Sequence, residues 1–381
     1  MIDTIIAEEK NGLLKLAGLS GGDLREVVIY DSAKANEGDI YLGKITNKIT
    51  TANGHHSYLV NIGDMDVFIN AAEDGLEDLE AHEGQDIILQ IAQEARAEKK
   101  ARGVRFLQFA GINLVYCPYG EGVDISGRIR DDNKVAEIKD WLNEVREDEG
   151  WIVRTHAQEA DKDDIVSEAK ALKELFNEVM TKAKSVKSPA VLWKKNTSLQ
   201  DMVSINEKTL QKIVVNNHLL EDKFSAFEVA FTREPWGEYG IDEQVANAMQ
   251  CEVKLLSGGR LFIEETKAVV AIDVDSAGYG EQGGISRLNN EAAKEIAKQI
   301  SLRNLSGKII IDFAGLTEYH FLKEAVDILE RELRADAIKA RVLGVSKAGN
   351  VEVLRARRRP SLRDVLTIEC EICHGCGRVE K

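Results

Sequence analysis

Apolar and polar residues alternate with a period of two through much of the chain, the spacing that turns one face of a strand toward a core. Residues 1–37 read as a short strand pair in which "LREVVIYD" is the clearest strand. The segments "GDIYLGKITNKI" (38–49), "SYLVNIGDMDVFINAA" (57–72) and "GQDIILQIAQEA" (84–95) are short alternating strands separated by Gly, Asn and Asp turns. That spacing predicts a small barrel. Between 106 and 154, "FLQFAGINLVYC" and "GWIVRT" read as strands around one helical stretch. The period then lengthens in "DKDDIVSEAKALKELFNEVMTKA", where Ile165, Ala169, Leu172, Phe176, Val179 and Ala183 form the stripe of an amphipathic helix that opens on acidic first-turn residues.

Residues 190–250 are mixed α/β, with a helix opening in "YGIDEQVANAMQ". In "EVKLLSGGRLFIEE" a Ser-Gly-Gly signal between apolar runs predicts a hairpin, and "AVVAIDVD" follows as a strand. A helix over roughly 290–303, the strand "GKIIIDFAGL" (307–316), a helix around 319–336 and the strands "KARVLGV" and "NVEVLRAR" complete an α/β layer.

Acids in these apolar strands raise the first question of chemistry. Asp273 and Asp275 lie one residue apart in "AIDVDS" and so project from the same face, where like charges need a cation, protons or water. Asp273 and Asp312 both stand near the C-terminal ends of strands, where open α/β sheets bind ligands. On neighbouring strands, these two carboxylates converge on one cation. Hard oxygen ligands with room for water suit Mg²⁺, which supports hydrolysis of a phosphodiester. The competing use of such acids is to cap turns.

Composition narrows the classes. The chain has 381 residues, 44% of them hydrophobic, and only four prolines, as befits a well-packed protein of more than one domain. No run approaches a membrane span and "MIDTIIAEEKNGLL" lacks a basic region followed by an apolar one, so the expected location is cytoplasmic, away from membrane. A formal charge of −15 argues against a surface coated with nucleic acid, leaving the local basic clusters "EKKARGVR" (98–105) and "RARRRP" (355–360). Three of the five cysteines crowd into "CEICHGCG" (370–377), which in such a chain indicates metal rather than a disulfide.

The segments "LLSGGRLFIEETKAVVAIDVDSAGYG", "NNEAAKEIAKQISLRNLSGKIIIDF" and "CEICHGCG", in that order and spacing, resemble the catalytic core of the ribonuclease E/G family of bacterial endoribonucleases. Upstream, "GDIYLGKI" with "SYLVNIGDMDVFIN" resembles the family's S1-type OB domain, and "GWIVRT" its 5′-monophosphate sensor. The resemblance implies an α+β multidomain chain. Its parts are an RNase H-like subdomain split between 1–37 and 198–248, an S1/OB RNA-binding domain at 38–105, a 5′-sensor region at 106–197, a DNase I-like α/β catalytic subdomain at 249–366 and a zinc-link tail at 367–381.

It implies Mg²⁺ held by Asp273 and Asp312, and RNA contacts through Tyr58, Phe68 and Lys99. The 5′ phosphate is gripped by Arg154 and Thr155 in a pocket that Gly111 and Val115 line. A planar guanidinium beside a hydroxyl suits that task. Two departures stand out. The family usually has Asn at position 275, so Asp275 orients the attacking group, joins the metal shell or raises a neighbour's pKa. After Asp312, "DFAGL" replaces the usual Asp-Phe-Ile-Asp-Met.

Cys370 and Cys373 supply half of a tetrahedral Zn²⁺ site, and the resemblance implies that a second protomer supplies the rest, giving a zinc-linked homodimer. His374 and Cys376 are additional potential ligands. Lacking the small domain and the scaffold region of longer relatives, the chain is expected to be a dimer without degradosome scaffolding. The expected function is Mg²⁺-dependent hydrolysis of single-stranded RNA to 5′-phosphate and 3′-hydroxyl ends, with preference for 5′-monophosphorylated RNA in processing or decay. The rival is a non-catalytic RNA-binding protein of the same fold. A redox role for "CEIC" is disfavoured by its place in a terminal tail rather than at a helix start.

Overall fold

The alternating segments pair into four sheets in the computed structural model, which describes residues 2–50, 55–70, 81–95, 99–127, 129–195, 198–218, 224, 227–277, 284–315, 319–334, 336 and 338–373. Strands β1 (Thr4–Lys10), β2 (Leu13–Ser20) and β3 (Asp23–Asp31) form an antiparallel meander, one strand more than the pattern predicts. Two tight turns account for the extra strand. Asn11-Gly12 and Gly21-Gly22 hold positive φ, of 55° and 79° and of 58° and 89°, the geometry that reverses a twisted hairpin.

Residues Ser32–Ile205 make one compact unit. Within it β4 (Ile40–Thr50), β5 (His56–Asn61), β6 (Asp66–Asn70), β7 (Asp86–Gln93) and β8 (Arg102–Val104) pair in the order β4-β5-β6-β8-β7, and β7 pairs back to β4. The result is a closed five-strand, OB-like barrel with no free edge among these strands. Tyr58, Val60, Val67, Ile69, Leu89 and Ile91 fill it.

A four-strand sheet follows from β9 (Phe109–Ala110), β10 (Leu114–Cys117), β11 (Val123–Ile125) and β12 (Gly150–Val153), with helix α1 (Asp132–Asn143) between β11 and β12. Helix α2 (Lys162–Ser185) packs the predicted stripe of Ile165, Ala169, Leu172 and Val179 against this sheet. Its start is fixed by a capping box in which Asp161 and Asp164 each accept the other's backbone N–H. Strand β13 (Ala190–Trp193) then returns to pair with β4, and α3 (Ser198–Asn206) follows.

The other compact unit joins Met1–Asp31 to Asn206–Lys381. Strands β14 (Lys212–Val215) and β15 (Glu228–Phe231) add in parallel to β1, completing the sheet β15-β14-β1-β2-β3, and the short α4 (Pro235–Glu238) and α5 (Ile241–Ala248) cover it. The last sheet contains β16 (Glu252–Lys254), β17 (Arg260–Glu265), β18 (Val270–Asp275), β19 (Gly307–Asp312), β20 (Ala340–Val345) and β21 (Val351–Arg355) in the order β16-β17-β18-β19-β21-β20.

Helices α6 (Gly284–Leu302) and α7 (Tyr319–Leu333) cover one face only, burying Ile272, Val274, Ile309, Ile311, Val351 and Val353. Each such side chain contributes about 1.5–3 kcal/mol. A slip of one residue would exchange them for the alternate set, including Asp273 and Asp312, so the core pins the register that leaves those acids on the open face. A short helix, α8 (Leu362–Leu366), ends the regular structure, and no helix among the described residues is long and apolar enough to cross a membrane.

Candidate active site

Asp273 and Asp312 are register partners on the parallel neighbours β18 and β19, and both are exposed. Neighbouring strands lie about 4.8 Å apart, so the two carboxylates leave adjacent backbones toward the same solvent-filled space. Partial desolvation by its surroundings is the largest influence on Asp273, followed by the charges of Asp312 and Asp275, and together they hold its carboxyl above the ordinary range. Two carboxylates side by side, one of them with its proton affinity raised in part by its neighbour's charge, are the donor set a hard divalent cation relieves. The pair fits Mg²⁺ with most coordination sites left to water and substrate.

Asp275 shares that face, yet its carboxylate is already engaged. It accepts from the Ala277 N–H at 2.9 Å and pairs with Arg260, Nη2 to Oδ2 2.5 Å, the residue directly opposite on β17. The Ala277 donor and then the guanidinium hold it below the usual carboxylate range. Among the described residues, no group of three or more His, Cys, Asp or Glu side chains that could hold a metal ion is present. The acid absent after Asp312 corresponds to Gly315, whose φ of +87° is left-handed and favours glycine. Buried Asn289 of α6 pins this segment, donating to the Ala314 carbonyl at 2.9 Å and accepting from the Ala314 N–H at 3.2 Å.

In the other unit, Arg154 and Thr155 stand at the end of β12. The Arg154 guanidinium donates to the Gly111 carbonyl, and its backbone N–H donates to the Asn113 carbonyl at 2.8 Å. The Thr155 and Ser126 hydroxyls are 3.0 Å apart, and His156 Nδ1 lies 3.0 Å from Asn113 Oδ1. Glu168 of α2 holds the facing turn, accepting from the Asn113 N–H at 3.0 Å, the Asn113 side-chain amide at 2.8 Å and the Leu114 N–H at 3.4 Å. A Cβ at Gly111 would overlap that carboxylate, so any larger residue there must displace the Glu168 side chain. Val115 pairs with Ile152 and Ala110 and is half-buried.

The barrel separates the two expected aromatics. Phe68 is half-buried and aligned with Leu59 on the outward face. Tyr58 is 1% exposed and pairs with Ile69 inside the barrel. The expectation that Tyr58 stacks on a base is therefore corrected: the strand period of two sends it into the core, where it offers no ring face to RNA. Lys99 is exposed just ahead of β8, whose Arg102 aligns with Phe68.

In the tail, Cys370 is exposed and Cys373 half-buried, while His374 and Cys376 lie outside the described residues. Two thiols fit half of a tetrahedral zinc set and no more. Sequence reasoning missed Arg260, Asn289 and Glu168. Only Arg260 had a usable signal, its place after the Ser-Gly-Gly turn.

Comparison with protein families matches residues 108–358 to the Ribonuclease E/G family. Ribonuclease G of Haemophilus influenzae is 30% identical over 411 residues, covering 96% of this chain and 82% of that protein. Ribonuclease G of Escherichia coli K12 is 27% identical with the same coverage of 96% and 82%. Ribonuclease E of a Nostoc species is 25% identical over 98% of this chain and 58% of its own length.

Proposed function

The chain belongs to the ribonuclease E/G family, and on that premise we propose that it is an endoribonuclease that hydrolyses single-stranded RNA to 5′-phosphate and 3′-hydroxyl ends in RNA processing or decay. The observation that carries the reading is the register of Asp273 with Asp312 on the open face of the sheet. These two residues would hold Mg²⁺, which when bound supplies charge stabilisation at a phosphoryl oxygen and a lowered pKa for water. Asp275, fixed by Arg260, sets the local field around Asp273, and Asn289 positions the backbone that follows Asp312.

The barrel at 38–105 would bind RNA through Phe68 and Lys99, and Arg154 with Thr155 would receive a 5′ monophosphate. Arg154 spends one donor on Gly111, and a guanidinium has others to offer. A Zn²⁺ shared by Cys370 and Cys373 of two chains would link a homodimer. The test is cleavage of a fluorescent 5′-phosphorylated oligoribonucleotide by purified protein with Mg²⁺, which Asp273→Asn or Asp312→Asn should abolish. A second reading, a non-catalytic RNA binder, draws on the commitment of Asp275 to Arg260. RNA shifted in a gel but never cut would favour it.

A further inference from the structure

The open face of the catalytic sheet carries a second charged feature that the acidic pair does not use. Arg341 of β20 aligns with Leu354 of β21, and Leu354 aligns with Lys308 of β19. Residues in one such row project from one face. Lys308 and Asp312 are both exposed and lie four positions apart on β19, which places the row about 13 Å from the acidic pair at ~3.3 Å per residue. Between them runs a row of Gly344, half-buried Glu352 and half-buried Ile310.

The basic row lines a cleft of about 590 Å³ together with Lys339 and Arg357. Its cations are not consumed by the fold. Among the described residues no carboxylate pairs with Lys308, Lys339, Arg341 or Arg357, whereas Arg355 beside them is 2% exposed and bonded to Asp336 at 2.7 Å. Four like charges facing one cleft repel unless an anion lies among them. Gly307, with φ of +85°, lets the Arg357 guanidinium lie where any Cβ would intrude. Leu354, 37% exposed, adds apolar surface to the cleft beside the charges.

We propose that this cleft is a second RNA subsite, which holds a phosphate of the same single strand whose scissile link lies at Asp273 and Asp312. The inference rests on the ribonuclease reading. The cleft opens on the same sheet face as the acids, so an extended strand reaches both along β19. The cations neutralise a phosphate and Leu354 receives the adjoining sugar or base.

The test uses the full chain and a short fluorescein-labelled oligoribonucleotide. Binding is followed by anisotropy without divalent cation over a range of salt, and cleavage is followed separately with Mg²⁺. Joint replacement Lys308→Ala and Arg341→Ala should weaken binding about tenfold and flatten the log–log salt slope by about 0.7, for one phosphate no longer neutralised. KM should rise by a similar factor with kcat unchanged. Lys308→Arg should restore the affinity.

Lys323→Ala, which removes the same charge from an exposed position on α7, should change neither affinity nor slope. Lys339→Glu, ahead of β20, serves as an independent variant should the double replacement melt early, and it should weaken binding further. Affinity, salt slope and KM equal to those of the unmodified protein would overturn the subsite while leaving the nuclease intact. Protein that shows the predicted binding losses but cuts nothing would overturn the nuclease reading and leave the subsite standing.

Discussion

Arg260 and Asp275 face each other across β17 and β18 as register partners, with Nη2 2.5 Å from Oδ2. A directly opposed ion pair of this kind organises its strand pair, and here it also keeps a negative charge beside Asp273. The Asp275 charge is one cause of the raised Asp273 pKa, after partial desolvation and Asp312. Asp275→Asn removes that charge and leaves the Arg260 cation in place, and both effects lower the Asp273 pKa. The variant should therefore still cut RNA, with the acidic limb of its kcat/KM profile displaced to lower pH. A limb displaced upward would reverse the assigned electrostatics.

The raised pKa of Asp273 is also a statement about stability. In the folded protein this group holds a proton at pH values where the unfolded chain has lost it. Stability therefore falls as pH rises from the ordinary carboxylate pKa through the folded value, and the loss persists at neutral pH. Without divalent cation, Asp273→Asn should raise Tm at pH 7 by about 1–2 °C, a small effect because the group is largely solvated. The difference should vanish below about pH 4. Mg²⁺ should raise the Tm of the unmodified protein through linkage and leave that of Asp273→Asn unmoved. Melts with and without Mg²⁺ at the two pH values check both statements.

Periodicity made the elements legible more readily than the site. The stripe from Ile165 to Val179 gave helix α2, and the Ser-Gly-Gly turn gave the β16–β17 hairpin. Asp273 and Asp312 were visible because acids interrupt otherwise apolar strands. What periodicity does not encode is which strands become neighbours and which way a side chain faces inside a closed barrel. The Asp273–Asp312 pairing is set by parallel strands separated by a helix, and Tyr58 lies inside through closure of β4 on β7. Glu168 and Asn289 sit among many polar residues on their helices, and only tertiary packing singles them out.

At Gly111 the limiting contact is the Glu168 carboxylate, which a Cβ would overlap. Gly111→Ala should displace that carboxylate from the Asn113 and Leu114 N–H groups, costing about 1–3 kcal/mol for donors left unmet. The Gly111 carbonyl also receives Arg154, so the same change should blur discrimination between 5′-phosphate and 5′-hydroxyl ends. Tm and the ratio of kcat/KM on the two substrates report the effects separately. An alanine variant that melts normally would mean the contact relaxes freely.

Arg154 itself offers a cleaner separation of binding from folding. Its guanidinium is anchored by one backbone carbonyl and has donors left for an anion. Charge-assisted hydrogen bonds are worth about 1.5–3 kcal/mol, so Arg154→Gln should lower kcat/KM on 5′-monophosphorylated RNA by about tenfold or more. Activity on 5′-hydroxyl RNA should be unchanged. Equal losses on both substrates would reassign Arg154 to general RNA binding or to structure.

Tyr58 and Phe68 stand on paired strands but on opposite faces, and replacing each by alanine should have opposite consequences. Tyr58 is 1% exposed within the barrel, so Tyr58→Ala leaves a cavity and should cost about 3–5 kcal/mol, seen as a lowered Tm. Phe68 lies half-buried on the outward face beside Arg102. Phe68→Ala should leave Tm nearly unchanged and weaken single-stranded RNA binding by about 1–3 kcal/mol, the loss of one stacked base. Anisotropy titrations beside thermal melts distinguish the two roles. If Phe68→Ala bound RNA with unchanged affinity, the outward face of β5 and β6 would not be the one on which bases stack.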